Sequence, residues 1–194
     1  MKKIGITGGI GCGKTTATKV FSLLGVPIYN ADERSKTILN SSPSVIEKVK
    51  QQFGDDIYET SGINRKKLAA IVFNNPELLI QLNAILHPAV FDDFDNWCLL
   101  HHNEPYILKE AALIFETILH QKLEKIIVIT APEKLRINRV MKRDGLTQDE
   151  VEKRIQNQMS EKEKVERANF VIYNDEQQLI IPQILKIHST LIAK

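Results

Sequence analysis

Gly8-Gly9-Ile10-Gly11-Cys12-Gly13-Lys14-Thr15 fits the spacing Gly-x-x-x-x-Gly-Lys-Ser/Thr in full. Ile4-Gly5-Ile6-Thr7 ahead of it reads as a short buried strand, and Lys14 to Leu24 behind it as a helix. That strand–loop–helix setting makes the match a phosphate-binding P-loop. Glycines are needed because several backbone N–H groups must converge on one anion, which Cβ atoms would obstruct. The following helix aims its positive dipole end at the same phosphates. Lys14 would reach the β- and γ-phosphates, and the Thr15 hydroxyl would ligate Mg²⁺. A glycine-rich turn can be purely structural, but here Lys-Thr stands in register behind the glycines. The stretch therefore predicts a nucleoside triphosphate held by Gly8, Gly9, Gly11, Cys12, Gly13, Lys14, Thr15 and Thr16.

A chain of 194 residues, 43% of them hydrophobic, suits one domain with a full core and room for an insertion. Its 26 basic and 24 acidic residues leave a net charge of +2, too balanced for a nucleic-acid or membrane surface. Cys12 and Cys98 make neither a zinc spacing nor a disulfide framework, so a reducing cytoplasm is the expected home. No apolar run approaches the roughly 18 residues of a membrane span. Lys2 and Lys3 resemble the start of a signal peptide, but Gly5, Gly8 and Lys14 interrupt the apolar stretch it requires. A monomer or weak homo-oligomer is expected.

Beyond the first helix, Gly25 is a natural stop and Val26-Pro27-Ile28-Tyr29 a short second strand, placed beside the P-loop strand. Asn30-Ala31-Asp32 follows at its C-terminal end, the edge where α/β sheets place ligands. From Asp32 to His102 the pattern is almost wholly helical: Asp32–Leu39, Ser44–Phe53 closed by Gly54, a loop to Ile63, and Arg65–Phe73 capped by Asn64. Asn74-Asn75-Pro76 then turns the chain into Pro76–Leu86, and His87-Pro88 opens a last helix. Strands at Tyr106–Glu110, Lys125–Thr130 and Phe170–Tyr173 complete the count. A helix runs from Ala131-Pro132 to Arg143, and capping boxes at Thr147–Glu150 and Ser160–Glu163 mark two more. Asp175 is expected to cap a terminal amphipathic helix. The result is an α/β fold of the P-loop NTPase type, a parallel five-stranded sheet with helices on both faces. A single domain is expected, with its core at about 1–31, 104–135 and 169–194. A helical substrate-side insertion would span about 32–103 and a small helical lid about 136–168.

A P-loop leaves switch, motor and small-molecule kinase open. No guanine-reading N/T-K-x-D motif is present, and Leu108-Lys109-Glu110 is a poor Walker B ending. Arg136, Arg139, Lys142 and Arg143, then Lys153 and Arg154, form a basic segment around Gly145. Arg139 and Arg143 share one helix face, which suits either a lid that neutralises a transferring phosphoryl group or a solvated charged helix. Asp32 suits either a general base for an alcohol acceptor or a helix N-cap. Cys12, at a helix N-terminus next to Lys14, is expected to have a lowered thiol pKa and a redox-sensitive role. His87 reads as a helix-starting residue or a substrate contact.

Several stretches together resemble the dephospho-coenzyme A kinase family. They are Thr7 to Lys14; Gly25-Val26-Pro27 running into Asn30-Ala31-Asp32; Leu86-His87-Pro88; Leu113-Ile114-Phe115-Glu116; Arg139 with Arg143-Asp144-Gly145; and Arg154-Ile155 with Gln158. The resemblance implies transfer of the ATP γ-phosphate to the ribose 3′-hydroxyl of dephospho-CoA. Asp32, Lys14 and Arg143 would be catalytic, and Arg139 and Asn174 would join the ATP site. Asp32, His87, Pro88 and Leu113 would lie on the substrate side, with Thr15 on Mg²⁺. The chain departs from the family at Asn30, where Asp-Ala-Asp is usual, at Cys12, where Ser is frequent, and at Ala112, where Pro is common. Glu110 is an acid near the catalytic edge, a candidate for Mg²⁺ through water or a partner for Lys109. A nucleoside monophosphate kinase and a slow ATP-hydrolysing regulatory module remain the rival readings.

Overall fold

The structure, a computed structural model, describes residues 1–73 and 75–193, so Asn74 of the predicted turn lies outside the described residues. The elements are β1 (Lys2–Thr7), α1 (Lys14–Leu23), β2 (Ile28–Asn30), α2 (Ala31–Ser41), α3 (Pro43–Phe53), β3 (Tyr58–Glu59), β4 (Gly62–Ile63) and α4 (Arg65–Phe73). They continue with α5 (Pro76–Leu100), β5 (Tyr106–Glu110), β6 (Lys125–Thr130), α6 (Glu133–Asp144), α7 (Gln148–Gln156), α8 (Glu161–Arg167), β7 (Phe170–Tyr173) and α9 (Ile180–Ile192). Two compact units result: Met1–Asn30 with His101–Lys194, and Ala31–Leu100.

The first unit is built on an all-parallel sheet of order β2-β5-β1-β6-β7. One face carries Ile4, Ile6, Tyr106, Leu108, Ile127, Ile129 and Ile172, packed against Ala17 and Phe21 of α1 and Ile184, Ile187 and Leu191 of α9. On the other face Gly5 lies against Ile114 and Leu123, where a Cβ would come within 2.7 Å of the Leu123 side chain. The order corrects one expectation. β2 does not lie beside the P-loop strand, because β5 is inserted between them. All five residues of β5 are buried, which suits an interior strand, whereas β2 follows Pro27 and has only three residues. Proline lacks a ladder donor and is confined to sheet edges; its carbonyl still accepts the Leu108 N–H at 2.9 Å.

The second unit packs α2, α3 and α4 against α5. Here the predicted break at His87-Pro88 is not made, and α5 runs through Pro88 for 25 residues. A residue before proline is biased away from helix, but Leu82, Leu86, Val90, Phe94 and Cys98 form one buried stripe at four-residue spacing. An interior proline costs about 3 kcal/mol, and each large apolar side chain buried gains roughly 1.5–3 kcal/mol. The stripe outweighs that cost. The predicted loop at 55–63 contains the antiparallel hairpin β3–β4, pinned to α2 where the Tyr58 hydroxyl donates to the Leu39 carbonyl (2.8 Å) and the Ile63 N–H to Asn40 Oδ1 (2.9 Å). Asn64 caps α4 through the Lys67 N–H.

Both predicted capping boxes form, at Thr147–Glu150 and Ser160–Glu163. Asp175 does not cap α9. It accepts the N–H groups of Gln177 and Gln178 in a turn, and Leu179 stands at the helix N-cap. Among the described residues no helix is long and apolar enough to cross a membrane.

Candidate active site

The loop between β1 and α1 sorts its amides into two sets. Three are committed to the protein: the Gly9 N–H donates to Glu161 Oε1 (3.0 Å), the Ile10 N–H to Gln158 Oε1 (3.0 Å), and the Cys12 N–H to the Gly9 carbonyl (3.1 Å). The amides of Gly11, Gly13 and Thr15 make no hydrogen bond among the described residues, and that of Lys14 faces only the Cys12 thiol. Gly11 and Gly13 have φ 79° and 97°, and the loop they bend ends at the N-terminus of α1, an arrangement that suits a phosphate. Lys14 Nζ donates to the Gly8 carbonyl at 2.7 Å, while Thr15 and Thr16 are exposed.

Asn174, at the end of β7, braces this loop. Its Nδ2 donates to the Cys12 carbonyl at 2.8 Å, and a Cβ on Gly13 would stand 2.3 Å from that nitrogen. The Asn174 carbonyl accepts both Arg139 Nη groups at 3.2 Å, and Arg139 Nη2 also meets Glu176 Oε1 at 2.9 Å. Arg139 and Asn174 thus come together with the P-loop. Arg143 does not join them: it is exposed and forms a two-pronged pair with the neighbouring Asp144, at 2.7 and 2.8 Å, which holds the Asp144 carboxyl below its usual range.

Cys12 corrects a second expectation. Its side chain is fully buried in the apolar cluster between sheet, α1 and α9. Burial pushes the thiol pKa up, and Lys14 opposes this without reversing it. A helix N-terminus activates a thiol that solvent can reach; this one is sealed in the apolar cluster.

The most connected side chain near the loop is one that the motifs did not single out. Glu161 accepts from Gly9 through Oε1 and from the Thr130 hydroxyl through Oε2 (2.9 Å), and Arg136 Nη1 lies 3.5 Å from Oε1. Arg136, placed by sequence in a basic lid face, is only 2% exposed and also meets Glu133 at 3.6 Å. The capping box at Ser160 made Glu161 look like an ordinary first-turn acid, and its partners lie far away in sequence. Lys164 was missed likewise: it is fully buried, with Nζ 3.4 Å from Glu116 Oε1, which also accepts the Met159 N–H at 3.0 Å.

At the C-terminal edge of the sheet, Asn30 Nδ2 donates to Glu110 Oε2 at 3.1 Å, across the register pair Asn30–Glu110. Glu110 is 7% exposed, and β5 pairs directly with β1, so this carboxylate closes the strand next to the P-loop strand. Lys109 is buried with its ammonium 5.4 Å from the Tyr29 ring centroid. The Thr7 hydroxyl donates to the Ala112 carbonyl at 3.2 Å, and Leu113 beyond it is 41% exposed. In the second unit, α2 starts at Ala31, so exposed Asp32 lies inside the first turn and not at the N-cap. His87 and Pro88 are exposed in mid-α5, and partial desolvation draws the His87 imidazole below its ordinary pKa.

A phosphate-binding loop with a buried acid on the neighbouring strand fits many phosphotransferases. The family model for dephospho-CoA kinase matches residues 2–179. The chain belongs to the dephospho-CoA kinase family. A dephospho-CoA kinase from Bacteroides fragilis is 35% identical over 192 residues, covering 99% of this chain and 94% of that protein. A crystal structure of a Thermus thermophilus protein superposes with a TM-score of 0.88 at 30% identity, covering 100% of this chain and 98% of that one. The dephospho-CoA kinase of Campylobacter jejuni gives a TM-score of 0.73 at 28% identity, with 98% of each chain covered. The dephospho-CoA kinase family places this chain among the phosphotransferases, and the P-loop geometry agrees.

Proposed function

We propose that this chain transfers the terminal phosphoryl group of ATP to the ribose 3′-hydroxyl of dephospho-CoA, giving coenzyme A and ADP. The observation that carries the nucleotide half is the set of amides at Gly11, Gly13 and Thr15, which make no hydrogen bond among the described residues, beside that of Lys14. Lys14 leaves the Gly8 carbonyl for the β- and γ-phosphates. Arg139 and Asn174 set the adenine side of the site, Asn174 through its grip on the Cys12 carbonyl. The exposed Thr15 hydroxyl and the acid of Glu110 fit Mg²⁺, a hard cation that prefers oxygen ligands. Bound with ATP, the ion supplies neutralisation of the phosphate charge.

Asp32 takes the proton of the 3′-hydroxyl as its oxygen bonds to the γ-phosphorus and the bond to the ADP oxygen breaks. Arg143, freed from Asp144, neutralises charge on the transferring group. The unit Ala31–Leu100 carries His87 and Pro88; these and Leu113 serve the acceptor in this reading, and residues 136–168 act as a lid. Both cysteines are free, which suits a reducing cytoplasm. The deciding measurement is ATP consumption with dephospho-CoA, with AMP or CMP, and with no acceptor. ADP release that requires dephospho-CoA and yields a 3′-phosphorylated product is expected. Equal release without acceptor, or stimulation by AMP or CMP alone, would overturn the reading.

A further inference from the structure

Three features tie the back of the P-loop to the helices that follow β6. Glu161 Oε1 accepts the Gly9 N–H, and Gln158 Oε1 accepts the Ile10 N–H, both at 3.0 Å. The Ile10 side chain packs against the small apolar cluster of Ile137, Val140 and Val151 on α6 and α7. Gly9 and Gly11 then lie so close to α6 that a Cβ on Gly9 would stand 2.2 Å from Arg136 Nη1 and 2.3 Å from Glu161 Oε1. A Cβ on Gly11 would stand 2.5 Å from the Arg136 carbonyl. The glycines of this motif therefore serve two surfaces. One admits phosphate, and the other lets α6 and the α7–α8 junction press against the loop.

We propose that Glu161, with Gln158, is a positioning residue for the nucleotide, clamping the Gly9-Ile10 side of the loop so that its remaining amides stay converged on one point. Glu161 is itself held: Thr130 donates to its second oxygen and the buried Arg136 faces its first. A carboxylate so fixed can carry a hydrogen bond to a backbone N–H without a search over rotamers, and charge-assisted bonds of this kind are the stronger class. Two adjacent N–H groups turned towards the clamp leave Gly11, Gly13, Lys14 and Thr15 to face the anion. The α7–α8 junction that carries Gln158 and Glu161 is anchored in turn, because Glu116 accepts the Met159 N–H and pairs with the buried Lys164. Movement of this junction is thereby transmitted to the loop. Neither Glu161 nor Gln158 needs to touch ATP.

The inference rests on the reading of the loop as the ATP site, and the test separates the two. Dissociation constants for ATP and for dephospho-CoA are measured separately on the wild type, Glu161→Ala, Glu161→Gln and Gln158→Ala, with a melting curve for each. Wild-type protein that binds no ATP would sink the functional reading itself. Given wild-type binding, Glu161→Ala should weaken ATP by roughly 10- to 100-fold, the range for losing a hydrogen bond to a charged group. Dephospho-CoA affinity should stay within about twofold. Glu161→Gln keeps an acceptor for Gly9 and should recover most of the loss, which a merely structural acid would not predict. If Glu161→Ala does not fold, the half-buried Gln158→Ala gives the same comparison with a smaller loss. Unchanged ATP affinity in a folded Ala variant, a Gln variant as impaired as Ala, or equal weakening of both ligands would each overturn the proposal.

Discussion

Replacing Gly13 by Ala tests whether the loop and Asn174 are one unit. Gly13 sits at φ 97°, where a side chain costs about 1–2 kcal/mol. The new Cβ would also lie 2.3 Å from Asn174 Nδ2, so the amide must turn away and give up its 2.8 Å bond to the Cys12 carbonyl. That loss adds roughly 1–2 kcal/mol, because a partly buried carbonyl is left without its donor. Together the strain reaches about 2–4 kcal/mol, or roughly 30- to 800-fold in ATP affinity if it falls on the binding conformation of the loop. In an Asn174→Ala background the collision and the bond are already gone, so only the dihedral cost remains, roughly 5- to 30-fold. Titration calorimetry with ATP on the four proteins of this cycle reads the coupling directly. Equal losses from Gly13→Ala in both backgrounds would refute the claim that Asn174 braces the loop. Wild-type affinity in the single variant would refute the loop geometry as well.

Asp32→Asn should lower kcat by about 10²–10⁴-fold, the range of general-base contributions, while the ATP dissociation constant stays put; near-wild-type turnover in a steady-state assay would remove Asp32 from the mechanism. In a Cys98→Ala background, Cys12 should resist iodoacetamide at pH 8 until the protein is unfolded. Its folded thiol pKa is raised, so the native state favours the protonated form. The stability this provides is complete below the unfolded pKa and is lost as pH rises through the folded one; fast native alkylation would show that the thiol is not sealed in the core. Pro88→Ala should raise the melting temperature by several degrees, because alanine restores a helix donor at an exposed position of α5 and the unfolded-state entropy it adds is smaller. A lower melting temperature would mean that the proline ring is needed for packing, and a raised KM for dephospho-CoA would mark substrate contact.

What the sequence disclosed and what it withheld divide by distance along the chain. Loop, capping boxes and the three late strands depend on neighbours a few residues apart, and Lys125–Thr130 is apolar enough to announce a central strand by itself. Strand order depends on which strands are buried on both faces, and Lys109 disguised β5, since a lysine inside an interior strand is not expected until Tyr29 is seen beneath its ammonium. The α5 stripe stands in the sequence at four-residue spacing, but the local bias of His87 before Pro88 points to a break that only packing overrides. Glu161, Gln158 and Asn174 bond the P-loop across about 150 residues or more of chain, and no local pattern carries such a contact.

Asn30 shows how a departure from a family pattern becomes intelligible only as a pair. Taken alone, an amide in place of the usual carboxylate reads as a loss. In the structure Asn30 stands in register with Glu110 at the end of the adjacent strand, and its Nδ2 donates to Glu110 Oε2 at 3.1 Å. An aspartate there would set two carboxylates against each other in a partly buried site, which raises the pKa of one of them. The amide removes that conflict and supplies a donor that orients the acid on the strand beside β1. The negative charge at this end of the paired strands is carried by Glu110, next to the strand that carries the phosphate loop.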